Sequence, residues 1–197
     1  MTMQKQWRQA KRLARQALAV SDRQIKSEQI RQRVVAEPAF QNAGRIACYL
    51  KMLGEVDADG IIQAAWKSTK KVYLPVVTER HKALVFAPFT TDSDLTKDYL
   101  GMSIPNVSPT LFCSPQWLDV VIMPLVAFDK DRNRIGQGGG FYDRTFAFKS
   151  DVSNSEHGLL KPVLIGVAFD VQRVIGTITT RDWDVRPDII ITETSRY

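Results

Sequence analysis

The run "LDVVIMPLVAF" at positions 118–128 most restricts how this chain of 197 residues can fold. It is the most apolar run in the chain, continuous after Asp119 and without the alternation of a strand that has one wet face. A strand of this kind is covered on both sides, as when helices pack against both faces of a parallel sheet. It is far shorter than the about 20 apolar residues of a membrane span. Other segments fit the same plan. "RIACYL" (45–50), "KVYLPVV" (71–77), "KALVFAPF" (82–89), "KPVLIGVAF" (161–169) and "DIIITET" (188–194) read as strands. Pro75 puts the second of these at a strand end or a sheet edge. "QKQWRQAKRLARQAL" (4–18), "DRQIKSEQIRQRVVA" (22–36) and the stretch from Asp57 in "EVDADGIIQAAWKST" read as helices. Ser21 with Gln24 has the pattern of a capping box, and Pro38 follows the end of the second helix. "DSDLTKDYLGMSIPNVSPTLF" reads mostly as loop, and "VQRVIG" as a short helix. Strands alternating with helices predict an α/β protein, a three-layer α/β/α sandwich with a mostly parallel central sheet, built as a single domain over residues 1–197.

Composition narrows the functional classes only a little. Two cysteines, Cys48 and Cys113, make a disulfide framework unlikely. The amphipathic, charged N-terminus is unlike a signal peptide, so a cytoplasmic protein without a membrane partner is expected. A net charge of +6 favours anionic partners without choosing among them. In the first helix, Trp7, Ala10, Ala14 and Leu18 share one face, while Lys5, Arg8, Arg12 and Arg15 lie nearly opposite. That basic face is ordinarily solvated surface. A nucleic-acid-binding protein is disfavoured, because no recognition motif with interleaved aromatics and no zinc-finger spacing is present.

The chemistry concentrates in "RIGQGGGFYDR" (134–144), with four glycines between 136 and 140. Such a cluster lets backbone N–H groups approach phosphate oxygens, and the N-terminus of a following helix, read in "FYDRTFAF", adds a favourable dipole. Three known loops fail here. A Walker loop needs Lys and Ser/Thr after the last glycine. A dinucleotide fingerprint needs Gly or Ala where Phe141 stands. Asp129, Asp131 and Asn133 mimic the start of a calcium loop, but Arg134 and Gly140 occupy the positions of its Gly and Glu. One or two glycines suffice for a bare turn, and each glycine in regular structure costs about 0.5–1 kcal/mol. Four together point to close approach of a ligand.

"PLVAFDKDRNRIGQGGGFYDR", followed by "IGVAF" and "DWDVRPDIIIT", resembles the 5-formyltetrahydrofolate cyclo-ligase family, also called methenyltetrahydrofolate synthetases. The basic first helix and "LKMLGEVD" extend the resemblance over most of the chain. It implies a fold similar to sugar-phosphate isomerases and CoA-transferases. It also implies a monomeric enzyme that uses ATP and Mg2+ to close 5-formyltetrahydrofolate into 5,10-methenyltetrahydrofolate, a small-molecule reaction without nucleic acid. By this resemblance Arg134, Ile135, Gly136, Gln137, Gly138, Gly139, Gly140, Phe141 and Tyr142 contact ATP, together with Lys5 and Arg8. Leu50, Glu55, Phe141 and residues 137–140 contact the folate. Asp143 and Asp184 hold the metal, and Arg134 and Asp143 are catalytic. The family places a lysine four residues before the arginine equivalent to Arg8; Gln4 stands there and Lys5 is one place off. Relatives with "GKGYYD" carry lysine where this chain has Gly139. With Glu55 matched to the family's folate-contacting acid, its sequence distance from the glycine loop predicts that Glu55→Gln weakens folate binding more than ATP binding. A binder that has lost turnover is the alternative, against which the intact Asp143, Asp184 and Glu55 count. Met52 is a candidate for the folate pocket, Asp188 for a strand cap, Trp183 for packing, and His81 and His157 for surface.

Overall fold

The computed structural model describes residues 2–150 and 161–197, so His157 lies outside the described residues. The chain opens with three helices, α1 (Met3–Ala17), α2 (Val20–Ala36) and α3 (Pro38–Asn42). Then come β1 (Arg45–Ala47), α4 (Asp59–Lys67), β2 (Lys71–Val76) and β3 (Val85–Phe89). A small hairpin of β4 (Leu95–Lys97) and β5 (Ser103–Pro105) precedes β6 (Val120–Pro124). A second hairpin pairs β7 (Ala127–Phe128) with β8 (Arg134–Ile135), and α5 (Phe141–Thr145), β9 (Val163–Val167) and β10 (Ile189–Ile191) follow.

The central sheet has the order β10-β9-β6-β1-β2-β3. Every neighbouring pair is parallel except β2 with β3. The expected class, with a mostly parallel sheet, is what the chain forms. In β6 the apolar residues divide between the two faces, which explains the unbroken run. Val120 and Ile122 meet Ile30, Val34, Phe40, Ile61 and Ile62 beneath α2, α3 and α4. Val121 and Met123 meet Phe128, Phe146 and the half-buried Phe141 and Tyr142 on the other face. That second layer is thin: among the described residues it has the five-residue α5 and short 3-10 turns such as Ala147–Ser150.

Several expectations are corrected. The run 118–128 is two strands in two sheets, because the chain breaks at Leu125–Val126 so that β7 can pair with β8. Ser21 is not an N-cap: α2 starts at Val20, its cap is Ala19, and no side chain bonds there. Pro38 does not merely follow a helix; it occupies the first turn of α3, where its missing N–H is no loss. Pro75 does stand at a strand end, as expected: it is the next-to-last residue of β2, opposite Phe86 of the edge strand β3 and past Tyr73, the last residue paired with β1. The polar 92–112 segment contains the β4–β5 hairpin, and "VQRVIG" gives only a 3-10 turn over Asp170–Gln172. Cys48 and Cys113 are free, as expected, and burial pushes the Cys48 thiol up to about 12.

Candidate active site

The strand order places the site. The chain leaves β1 toward β2 on one side, while β6 lies on β1's other side. At such a switch point the loops leaving the carboxyl ends of two neighbouring strands diverge and open a crevice. The loop after β1 carries Leu50 and Glu55, and the chain after β6 leads through the β7–β8 hairpin to the glycine cluster. The two meet: Gln137 Nε2 donates to Glu55 Oε1 at 3.0 Å. Glu55 is buried, and its Oε2 accepts the Met52 amide at 3.1 Å.

Helix α1 crosses this crevice and turns its cations inward. Arg8 Nε donates to Gly136 O at 2.9 Å, Lys11 Nζ to Val171 O at 2.9 Å, and Arg15 Nη1 to Leu125 O at 3.2 Å. Arg12 donates to Gln137 Oε1. Arg15 also pairs with Glu55 at 3.4 Å, both side chains almost wholly buried. Apart from the exposed Lys5, the basic face is therefore not simply solvated surface. The reason is that the inward stripe, which includes Trp7 as well, crosses chain segments just past the strands, where carbonyls lack sheet partners and need donors. Burial and the neighbouring Arg12 charge lower the pKa of Arg8. Among the described residues neither arginine pairs with a carboxylate, which leaves two uncompensated cations beside the glycine loop. Lys5 is exposed, whereas Gln4, one place earlier, donates to Thr179 O at 2.6 Å.

Within the loop, Gly138 (φ +108°) and Gly140 (φ +64°) adopt backbone that favours glycine. Gly139 has a different reason: an added Cβ would lie 2.8 Å from the Phe141 ring. Arg144 stands over that ring at 5.0 Å and donates to Gly139 O at 2.8 Å, so a cation absent at position 139 is present beside it. The expected helix dipole contributes little, because α5 is only five residues long. Ile135 turns its side chain into a small apolar cluster with Ala127, Val174 and Trp7.

Asp143 and Asp184 come together around Arg134. Asp143 Oδ1 accepts from Arg134 Nη2 and from the Val185 amide at 3.1 Å. Arg134 Nε donates to Val185 O at 3.0 Å. Burial lowers the pKa of Arg134, and the nearby Asp143, Tyr142 and Asp184 oppose that shift. A cavity of about 30 Å³ is lined by Asn133, Arg134, Thr180, Asp184, Val185 and Arg186. Asn133 Oδ1 is buried with no partner. These groups include oxygens that suit a hard cation, the Asp143 and Asp184 carboxylates and the unpaired Asn133 carbonyl, set against the guanidiniums of Arg134 and Arg186. Among the described residues no cluster of three or more His, Cys, Asp or Glu forms, so a magnesium ion here would need oxygens from water and ligand. In the loop after β1 and the start of α4, Tyr49, Leu50, Lys51, Asp57 and Asp59 line a cleft of about 250 Å³. Burial raises the Tyr49 and Tyr142 phenols, with the Glu55 charge as the second cause for both.

The remaining candidates sort cleanly. Asp129 is fully buried and accepts the Asp131, Asn133 and Ile178 amides and the Asn133 side chain, so its calcium-like spacing encodes a hairpin hub. Asp188 caps the start of β9 by accepting the Leu164 amide at 2.7 Å. Trp183 is 62 % exposed under the Arg181 guanidinium, so it is not the packing residue expected. His81 is exposed, as expected, and so is Met52, which serves the site through its amide. Sequence reasoning missed Arg12, Arg15 and Arg144. The spacing of Arg8, Arg12 and Arg15 on one face of the first helix was the available signal.

Comparison with known proteins agrees with this geometry. The model of the 5-formyltetrahydrofolate cyclo-ligase family matches residues 1–193. The 5-formyltetrahydrofolate cyclo-ligase of Escherichia coli K12 is 32 % identical over 182 residues, 92 % of this chain and 95 % of that protein. The Haemophilus influenzae protein of the same name is 36 % identical over 146 residues, 74 % of this chain and 73 % of that one. The solution structure of Aquifex aeolicus 5,10-methenyltetrahydrofolate synthetase has the same fold, with a TM-score of 0.81 at 24 % identity over 99 % of this chain and 92 % of that one. This chain belongs to the 5-formyltetrahydrofolate cyclo-ligase family.

Proposed function

We propose that the protein is an ATP-dependent enzyme that closes 5-formyltetrahydrofolate into 5,10-methenyltetrahydrofolate and releases ADP and phosphate. The observation that carries this reading is the meeting of Glu55 with the glycine loop, two segments 82 residues apart, under a helix of inward-facing cations. The glycine loop, Arg8 and Arg12 receive the triphosphate, since uncompensated guanidinium groups and unhindered backbone suit phosphate oxygens. Glu55, Leu50 and the 250 Å³ cleft receive the folate, whose ring N–H groups suit a carboxylate.

In this reading the formyl oxygen attacks the γ-phosphorus and ADP leaves. N10 of the folate then attacks the activated formyl carbon and gives up its proton to solvent, the carbon–oxygen bond breaks, and phosphate departs with that oxygen. Phosphoryl transfer of this kind depends on positioning and charge neutralisation, not on a protein nucleophile. Arg134, fixed by Asp143 and Val185, presents positive charge toward the departing groups. Gly139, Gly140 and Phe141 hold the folate against the loop, and Tyr142 bounds it on the side facing Glu55. Asp143 and Asp184 would hold magnesium, which when bound neutralises phosphate charge.

The test mixes the protein, 5-formyltetrahydrofolate and MgATP and follows the methenyl product by its ultraviolet absorbance. Product formed at full rate after EDTA treatment would sink the metal assignment. Asp143→Asn should remove most turnover. Asp131→Asn, on an exposed turn, should change stability by no more than about 0.5 kcal/mol and leave turnover intact. A dead Asp131→Asn beside an active Asp143→Asn would mean the loop is read wrongly.

A further inference from the structure

Gln137 is the one residue between Ile135 and Phe141, apart from glycines, and so the one side chain through which the loop itself can be held. Its amide faces two ways: Oε1 accepts from the Arg12 guanidinium, and Nε2 donates to Glu55 Oε1 at 3.0 Å. Only this orientation works, because the flipped amide would set NH2 against guanidinium and oxygen against carboxylate. Glu55 is held from behind by buried Arg15, whose Nε has no partner, and from the side by the Met52 amide. The backbone next to Gln137 is tied to α1 as well, through Arg8 and Gly136 O at 2.9 Å. One exposed side chain thus joins the basic helix, the glycine loop and the acid after β1.

We propose that Gln137 is a positioning residue that couples the two halves of the site, so that occupancy at Glu55 and occupancy at the glycine loop change each other's affinity. The inference rests on the reading of Glu55 as the folate side and the loop as the nucleotide side. In the free protein Gln137 gives Glu55 the N–H donor that a folate ring would otherwise supply. A ligand that takes the carboxylate frees the amide, and the loop with its Arg12 tether is then free to settle on a nucleotide. A nucleotide that draws Arg12 and the loop toward its phosphates withdraws Gln137 and uncovers Glu55. The coupling is therefore positive and, by thermodynamic necessity, equal in both directions.

The experiment measures the Kd of 5-formyltetrahydrofolate with and without saturating MgADP, which cannot drive the reaction, and the Kd of MgADP with and without the folate. Each ratio of dissociation constants is the coupling factor, whatever happens to either Kd alone. In the unaltered protein we expect the same factor, about fivefold or more, from both directions. Gln137→Met keeps the side-chain length but removes both hydrogen bonds, and should bring the factor to one. Arg12→Leu, which cuts the other tether and leaves Gln137 beside Glu55, should lower the factor without bringing it to one. A factor that persists in Gln137→Met, or is one in the unaltered protein, overturns the coupling while leaving the cyclo-ligase reading in place. Failure of either ligand to bind the unaltered protein overturns both.

Discussion

Helices α1 and α2 are neighbours of nearly equal length, and they are held by opposite means. In α2 the buried residues are Ser27, Ile30 and Val34, and the apolar pair packs into the core over the sheet. In α1 the one buried residue is Arg15, and the helix docks through cations that donate to carbonyls at Gly136, Leu125 and Val171. A helix held by carbon holds the fold together. A helix held by cations, two of which, Arg8 and Arg12, pair with no carboxylate among the described residues, also keeps a positive potential directed at whatever lies beneath it. The difference divides the labour: α2 serves stability, and α1 forms one wall of the site.

The largest effect falls where the two roles overlap, at Arg15. Removing this cation leaves Glu55 buried beside only the Gln137 and Met52 donors. Breaking a buried ion pair from one side costs about 3–5 kcal/mol. Arg15→Met should therefore lower the stability measured by denaturant unfolding by an amount in that range. The double variant Arg15→Met/Glu55→Gln should recover most of the stability, because no uncompensated charge remains, while staying defective in turnover. If Arg15→Met is as stable as the parent, the pair does not hold α1 and the division of labour has no overlap.

Much of this was legible in the sequence, and the misses have physical causes. The unbroken apolar run 118–128 identified a doubly covered strand, and the glycine cluster identified a close-approach loop. Where that run splits was marked in the sequence by Pro124, the last residue of β6, but the strand that follows the break at Leu125–Val126 was not visible, because it is set by pairing with a hairpin partner. Arg15 read as surface because a helical wheel sorts residues by polarity, and the unpaired carbonyls that a guanidinium can satisfy appear only once strands have ended. The nearness of Glu55 to the glycine loop was hidden for a related reason. Sequence distance says nothing about which loops a sheet's switch point brings together, and Gln137 joins the acid to the glycine loop. Glu55→Gln is therefore expected to disturb ATP binding as well as folate binding.

A matched pair of substitutions separates the helices. Ile30→Ala, at a fully buried position in α2, should cost about 2–5 kcal/mol of stability and leave turnover per folded molecule unchanged. Arg8→Leu, on α1, removes a charge-assisted hydrogen bond to Gly136 O that is open to solvent on one side. It should change stability by only about 1 kcal/mol, yet raise the KM for ATP by about tenfold or more, because a phosphate contact is lost with it. Denaturant melts and steady-state kinetics on both variants read the two axes together. Equal losses on both axes for both variants would erase the distinction between a stabilising helix and a site helix.

The smallest effect tests the rotation of α1 itself. Lys5 and Gln4 are adjacent, and the family resemblance alone cannot choose between them, since a lysine is expected at one position and present at the next. The structure separates them by direction. Gln4 faces the protein and donates to Thr179 O at 2.6 Å, on the stripe that continues through Trp7, Arg8, Lys11 and Arg15. Lys5 lies about 100° further round the helix and is exposed. Lys5→Ala should therefore change stability by no more than about 0.5 kcal/mol and leave the affinity for ATP unaltered. Gln4→Lys puts a cation on the inward stripe one turn before Arg8, where its charge adds to the field over the glycine loop, so ATP should bind more tightly, by a few-fold at low salt and less at high salt. Calorimetry with MgADP at two ionic strengths resolves both. Weaker binding in Lys5→Ala with no change in Gln4→Lys would rotate α1 by one residue and put Lys5, not Gln4, over the loop.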